Sequence, residues 1–424
     1  MWHLQRLLHD LSKAVAAPAR NPRMAVVIGR LLGAAFLLCF ATGIYSHFLQ
    51  EPLPWMVFPT RPTWLYQVSQ GIHITAGILC FPLLFAKLYT VFPELFRTPP
   101  VRSFPHFLER ASIALFVAAS LMQIATGLLN TYQWYALFAF PFRQTHFALS
   151  FVIIGSLAIH IAVKLPAITQ YWSKAGSYED DGVTLRPAVA SHISTSTDNP
   201  VVDNQPHRGV TGRIVNWIDA TPTPDPRTSR RGFLAIVGIA SAAVVTFTAG
   251  QSFRLFDATN LFGPRKNDIG PNGLPVNRTA EAAKVTETAM DADWVLVVSN
   301  GAASRSFSRA QLLELDQYDV ELPIACVEGW SQLASWRGPR LRDLADAVGA
   351  PAGAALRAVS LEQKSSYART VVEPEYVRDE LTLVALELNG ETLDLDHGYP
   401  ARLIAPGRPG VLQTKWLSSL EVLS

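Results

Sequence analysis

Residues 229–253 read SRRGFLAIVGIASAAVVTFTAGQSF, and they divide the chain in two. Gly232 to Phe253 is a run of 22 residues without Asp, Glu, Lys or Arg. A helix needs about 20 apolar residues to cross the hydrocarbon core of a bilayer, so this run can span. Upstream lie four more such windows: the 20 residues between Arg30 and Glu51, then Pro62 to Ala86, Ala111 to Phe142 and Gln144 to Val163. Five in the first 253 residues argue against five buried helices of a soluble protein. Downstream of Phe253, polar and apolar residues mix as they do in soluble domains. Composition agrees, with 49% apolar and 17% charged residues, against roughly 25% charged in soluble proteins. A net charge of +2 lacks the concentrated basic excess of a nucleic-acid binder. Three cysteines exclude a disulfide-stapled scaffold and any four-thiolate site within one chain.

Orientation follows from Lys and Arg in the flanks. The N-terminal arm carries Arg6, Lys13, Arg20 and Arg23, and the loop after the second helix is assigned Lys87, Arg97, Arg102 and Arg110. The other two loops have only Arg61 and Arg143. The N-terminus is therefore expected in the cytoplasm of a multi-pass cell-membrane protein, with everything after Phe253 outside. The stretch Trp134 to Phe142 is expected at an interface, where Trp and Tyr accumulate. The expected order is a cytoplasmic arm (1–23), a four-helix domain (24–166), a cytoplasmic linker (167–226), the fifth helix (227–253), an extracytoplasmic lead-in loop (254–290) and a soluble domain (291–424). SHISTSTDNP and TPTPDPRTS mark the linker as flexible. Arg230 and Arg231 with Gly232, Phe233 and Leu234 resemble a twin-arginine export signal, here internal. That resemblance implies export of a domain already folded around a cofactor.

Four histidines fall in or beside the first four windows: His47, His73, His146 and His160. An ionisable ring inside a bilayer is costly and marks function by default. His146 and His160 are 14 residues apart on one helix, which is about 21 Å of rise and within about 40° of one face. One ring thus lies near each membrane surface, as two stacked haems would require. CxxCH is absent, so any haem is of b type, held by axial His alone. Four helices with His on the second and a 14-spaced pair on the fourth resemble the bacterial di-haem cytochrome b family over residues 24–166. The resemblance pairs His73 with His146 on an outer haem. It expects a partner for His160 near the cytoplasmic end of the first helix, where Met24 to Leu31 contains no His. His47 lies at the opposite end, so one haem or two remain open. Quinone or quinol is the membrane partner that the resemblance implies. Cys39 and Cys80 read as small apolar residues.

In the soluble domain VLVV and VELPIAC read as strands, SRAQLLEL and GPRLRDLADAVG as helices, and LTLVALELNG, YPARLIAP and KWLSSLEVL as strands. Its only cysteine is Cys326, in IACVEGWSQLASWRGPRLRDL. A buried inert thiol is the ordinary reading of such a residue, but thiolate is also the ligand that soft metals and oxo-molybdenum take. The run CVEGWS, followed by Trp336, Gly338 and Leu341, resembles the sulfite-oxidase-like molybdopterin fold, in which this Cys binds molybdenum. The closing segment HGYPARLIAPGRPGVLQTKWLSSLEV resembles that family's as well. By that resemblance His397 and Arg402 contact the pterin, and Gln413, Thr414 and Lys415 hold its phosphate and pyran ring. Asn277 sits where another pterin contact is expected. CVEGWS is closer to sulfoxide-reductase-like members than to sulfite oxidases, whose Cys is followed by Ala-Gly-Asn. Arg337, Arg340 and Arg369 read equally as an anion site or as surface charges, which leaves the substrate undecided.

The expected fold is an all-α transmembrane four-helix cytochrome b bundle plus a fifth membrane helix, then an α+β, mainly β, sulfite-oxidase-like molybdopterin-binding domain. The expected function is oxygen-atom transfer on a small extracytoplasmic substrate by a molybdenum-molybdopterin enzyme. A non-catalytic membrane redox sensor is the alternative.

Overall fold

The computed structural model describes residues 19–92, 104–137, 140–181, 184–187 and 229–423. The N-terminal arm up to residue 18, Arg97 and Arg102, residues 188–226 of the expected linker and residues 227–228 of the expected fifth-helix segment lie outside the described residues. Each charge-free window is the heart of a long helix: α1 Pro22–Gln50, α2 Leu65–Val91, α3 Phe104–Thr131, α4 Phe142–Gln170 and α5 Arg230–Thr248. All five are long and apolar enough to cross a membrane. The chain divides into two compact units, residues 1–40, 76–129 and 134–245 in one and residues 41–75, 130–133 and 246–424 in the other.

In the first unit every long helix contributes to one apolar seam, including Ile28 and Phe36, Leu83 and Leu84, Phe116, Ile153, and Phe233 with Val237. The outward faces are just as apolar, with Leu37, Phe81, Leu115, Ile159 and Ile239 all exposed. A helix that is apolar on every side needs an apolar surround, which water does not provide.

The second unit carries the sheets. A five-stranded sheet has the order β2-β1-β11-β5-β6, from Ala303–Ser308, Val295–Asn300, Leu417–Leu423, Ala355–Ser360 and Arg369–Val372. Only its β1–β11 pair is parallel. A four-stranded sheet runs β3-β4-β8-β9, from Tyr318–Ala325, Ser331–Gly338, Glu387–Leu388 and Glu391–Thr392. The short pair β10-β7, Arg402–Ile404 with Leu383–Ala385, completes the layers. Alternation sets the packing: β5 buries Leu356, Ala358 and Ser360 and leaves the residues between them less covered. Two helices cap the sheets, α6 Arg309–Glu314 and α7 Leu341–Asp346. The first opens on a capping box in which Ser308 and Gln311 satisfy each other's backbone N–H groups. The N-terminal helical region and the sheet-rich C-terminal domain agree with the sequence reading.

Three details of that reading change. Lys87 and Arg110 belong to α2 and α3, not to the loop between them. The helices outrun their charge-free windows because a long basic side chain can bury its stem while its charged end finds a partner; the Lys87 ammonium donates to Ala25 O at 2.8 Å. The fourth helix continues past residue 166 to Gln170, and the chain then closes a bridge between Tyr178 and Leu185, so the linker starts later than expected. The lead-in at 254–290 contains single-turn helices at Ala280–Ala283 and Thr286–Ala289, the first capped by Thr279.

Gly338 ends β4 where a Cβ would stand 2.1 Å from Val384 O. Gly338→Ala should force β4 from β7 and lower the thermal unfolding midpoint by roughly 4–8 °C, which tryptophan fluorescence during a melt would report.

Candidate active site

Cys326 opens the five-residue turn between β3 and β4. Its N–H donates to Trp330 O at 2.9 Å, and the Gly329 N–H donates back to Cys326 O at 3.0 Å. Gly329 adopts φ +102°, a left-handed conformation that favours glycine, and a Cβ there would meet the Ile74 side chain at 2.9 Å. Polar side chains elsewhere in the sequence grip this turn. Asn130 and Gln70 donate to Val327 O at 3.1 and 3.4 Å, and Gln133 donates to the Glu328 carboxylate at 2.6 Å. The Ser252 hydroxyl donates to Gly329 O. The turn is fixed on every side.

The Cys326 side chain is buried. Burial pushes its thiol well above the usual range, and the neighbouring Glu328 carboxylate adds to the rise. Glu328 is itself buried, which raises its carboxyl, while the hydrogen bond from Gln133 works against that rise. The Glu328 backbone N–H and, after it, the Lys415 charge act in the opposite sense, favouring the thiolate.

Around Lys415 the sequence places a buried cationic set. The Lys415 ammonium donates to Asn277 Oδ1 at 3.1 Å, Arg278 O at 2.7 Å and Asp396 O at 2.8 Å. Burial first and the Arg402 charge second lower it to about 7. Arg402, lowered to about 9 by burial, donates to His397 O at 3.0 Å and Gln413 O at 3.3 Å. His397 Nε2 lies 2.9 Å from Pro271 O and 3.0 Å from Leu274 O, so that nitrogen carries the proton. Burial, then Arg402 and Lys415, lower the ring to about 4 and keep it neutral. Gly398, at φ +112°, lets these groups converge; a Cβ there would meet Arg402 and Lys415 atoms at 3.1 Å.

Of the residues singled out in the sequence, Lys415, Asn277, Arg402 and His397 thus form one connected group. Gln413 and Thr414 spend their side chains inside the fold. The Gln413 amide accepts from Ala405 N–H at 2.7 Å and donates to Ala405 O and Arg408 O. The Thr414 hydroxyl bonds that of Thr370 at 2.8 Å. Arg337 is occupied by Asp319 at 2.9 Å, Arg340 lies over the Tyr318 ring at 3.8 Å, and Arg369 is exposed on β6.

Sequence reasoning missed Arg408, whose guanidinium is buried over Tyr376 and donates to Val371 O. It also missed Glu328, Gln133, Asn130 and Gln70. Amide side chains at the edges of apolar windows were the available signal.

An anionic, phosphate-bearing cofactor fits this chemistry. Buried cations are unfavourable unless paired; Arg408 has Glu373 at 3.7 Å, whereas Arg402 Nε is buried without a hydrogen-bond partner among the described residues. No three His, Cys, Asp or Glu side chains among the described residues converge on a metal by themselves. A metal at Cys326 would therefore take its other ligands from a cofactor.

The other four histidines singled out in the sequence lie on the long helices. His73 Nδ1 lies 3.3 Å from Thr42 Oγ1, and His146 Nδ1 lies 3.3 Å from Thr126 Oγ1. His160 stacks in parallel with Phe116 at 6.5 Å, and its Nδ1 is buried without a partner among the described residues. His47 faces Glu51 one turn on, at 3.9 Å.

The pH dependence of the cofactor-free protein follows from the lowered cations. Between pH 7 and 10 the unfolded chain holds more protons than the folded one at position 415, so stability rises with pH across that window. Lys415→Met should flatten the rise in a pH series of thermal melts.

Comparison with known proteins places this domain. Residues 282–424 match the family model of the oxidoreductase molybdopterin binding domain. A sulfite oxidase of Arabidopsis thaliana is 33% identical over 105 residues, 22% of this chain and 27% of that protein. The uncharacterized oxidoreductase YuiH of Bacillus subtilis is 30% identical over 106 residues, 25% of this chain and 52% of that protein. The crystal structure of the sulfane dehydrogenase SoxCD from Paracoccus pantotrophus matches 31% of this chain and 38% of that one, with 26% identity and a TM-score of 0.28. The chain thus spans about a quarter of the plant relative and about half of the bacterial one. The C-terminal region, with Cys326 at the head of its hairpin, matches an oxidoreductase molybdopterin binding domain and is similar to part of a plant sulfite oxidase.

Proposed function

We propose that the chain is a membrane-bound molybdenum-cofactor oxidoreductase. It transfers an oxygen atom to or from a small extracytoplasmic substrate of sulfite or sulfoxide type, with electrons passing through b-type haem to or from the quinone pool. The observation that carries this reading is a buried thiol in the same domain as Lys415 and Arg402, which converge at Gly398, with one buried nitrogen of Arg402 unpartnered among the described residues. Bound there, molybdenum-molybdopterin supplies two-electron oxygen-atom chemistry. Cys326 offers a sulfur ligand whose deprotonation Lys415 favours. Lys415 and Arg402 balance anionic charge on the cofactor, and His397, neutral with its Nε2 proton on backbone carbonyls, shapes the wall beside them. Asn277 orients the Lys415 ammonium. Gln413 fixes the backbone at Ala405 and Arg408, and Thr414 joins Thr370, so both hold the pocket's frame.

In the helical region His73 and His146 are each haem ligands, by the resemblance to di-haem cytochromes. Each has a hydroxyl on Nδ1, the contact that fixes a ligating ring. His160 holds a second haem only where another ligand reaches it, and His47 is the remaining candidate. Arg230 and Arg231, at the start of α5, direct export of the folded C-terminal domain.

Cys326→Ser should abolish turnover and the Mo(V) resonance with either substrate class while leaving the haem spectrum intact. Retained turnover would sink the assignment.

A further inference from the structure

The triplet Ala-Thr-Gly occurs twice in the sequence, at residues 41–43 in α1 and 125–127 in α3. Each copy packs against a histidine of the next long helix, and the two contacts have the same form. Thr42 Oγ1 is 3.3 Å from His73 Nδ1, and a Cβ on Gly43 would stand 3.0 Å from His73 Cε1. Thr126 Oγ1 is 3.3 Å from His146 Nδ1, and a Cβ on Gly127 would stand 3.6 Å from His146 Cε1. The threonine meets the ring nitrogen, and the glycine beside it clears the neighbouring ring carbon.

We infer that these two triplets are positioning devices for haem-ligating histidines, with Thr42 and Thr126 fixing the tautomer and Gly43 setting the ring plane; the inference rests on the haem reading above. The tautomer follows from counting protons at Thr126. Its hydroxyl has one hydrogen, and the oxygen lies 2.8 Å from Met122 O and 3.1 Å from Gln123 O, carbonyls that only accept. Threonine on a helix commonly donates to such a carbonyl one turn back. With its hydrogen so placed, Thr126 Oγ1 meets His146 as an acceptor. His146 then donates from Nδ1 and carries its lone pair on Nε2, the nitrogen an iron would take. A hydrogen bond accepted from Nδ1–H also raises the basicity of the ligand. The matching contact gives Thr42 the same role at His73.

The glycines are not equivalent. A methyl 3.0 Å from Cε1 is inside ordinary van der Waals contact, whereas one at 3.6 Å is not. Gly43→Ala should therefore turn the His73 ring, and Gly127→Ala should leave His146 in place.

The test uses the full chain, purified in detergent, with haem content, haem midpoint potential and the low-spin EPR signal as readouts and molybdenum content as the control for folding. Thr42→Val and Thr126→Val should each raise the midpoint potential, because the ligand loses basicity, and should shift the EPR signal. Thr→Ser at either position should restore both. Gly43→Ala should shift the EPR signal and Gly127→Ala should not. Haem that is present in the parent protein but unmoved by either Val variant overturns this inference and leaves the haem reading standing. Haem lost in a Val variant and not recovered by Ser also overturns it. A parent protein without haem overturns the haem reading, and this inference with it.

Discussion

Holding the Lys415 ammonium beside the buried Arg402 is the constraint on which the C-terminal domain turns. Arg402 is buried and Lys415 partly so, and both are lowered from their ordinary values, to about 9 and about 7. Three oxygens receive the ammonium, one each from Asn277, Arg278 and Asp396. These tie the lead-in segment and the loop before β10 to the closing strand. Gly398 exists to let Arg402 and Lys415 approach. The Cys326 thiol is held high by burial and by the Glu328 carboxylate, against which the Glu328 backbone N–H and the same lysine favour its thiolate. A domain built only for stability would gain from apolar residues at these positions. The arrangement makes sense when an anionic cofactor completes it.

Much of this was legible in the sequence, and for identifiable reasons. The five long helices follow from runs without charge, a signal that is local and strong. VELPIAC was legible as the strand that leads to Cys326, whereas its partner β4, Ser331–Gly338, was not read as a strand. Lys415, Arg402 and His397 came from the resemblance of the closing segment and Asn277 from a separate match upstream, and the structure brings all four together. Gln413 and Thr414 came by the same route, yet their side chains serve Ala405 and Thr370. A motif match gives a position but does not say which way a side chain is spent.

What escaped the sequence depends on distance along the chain. Gln133 meets Glu328 across 195 residues and Asn130 meets Val327 across 197. No periodicity connects such pairs. The helix boundaries failed for another reason: Lys87 reads as a loop charge, but its ammonium finds Ala25 O inside the helical unit. Arg408 was overlooked because a Gly-Arg-Pro-Gly turn looks exposed, whereas the fold buries it over Tyr376.

The central claim is that haem in the helices and chemistry at Cys326 belong to one electron circuit. Anaerobic spectroscopy of the purified, molybdenum-loaded protein tests it most directly. Sulfite is added to the oxidised protein, or a sulfoxide to the dithionite-reduced protein freed of excess reductant, while the haem Soret band is followed. One of the two should change the haem oxidation state in the parent protein and neither in Cys326→Ser. A haem band that responds to neither substrate in the loaded parent protein would contradict the account.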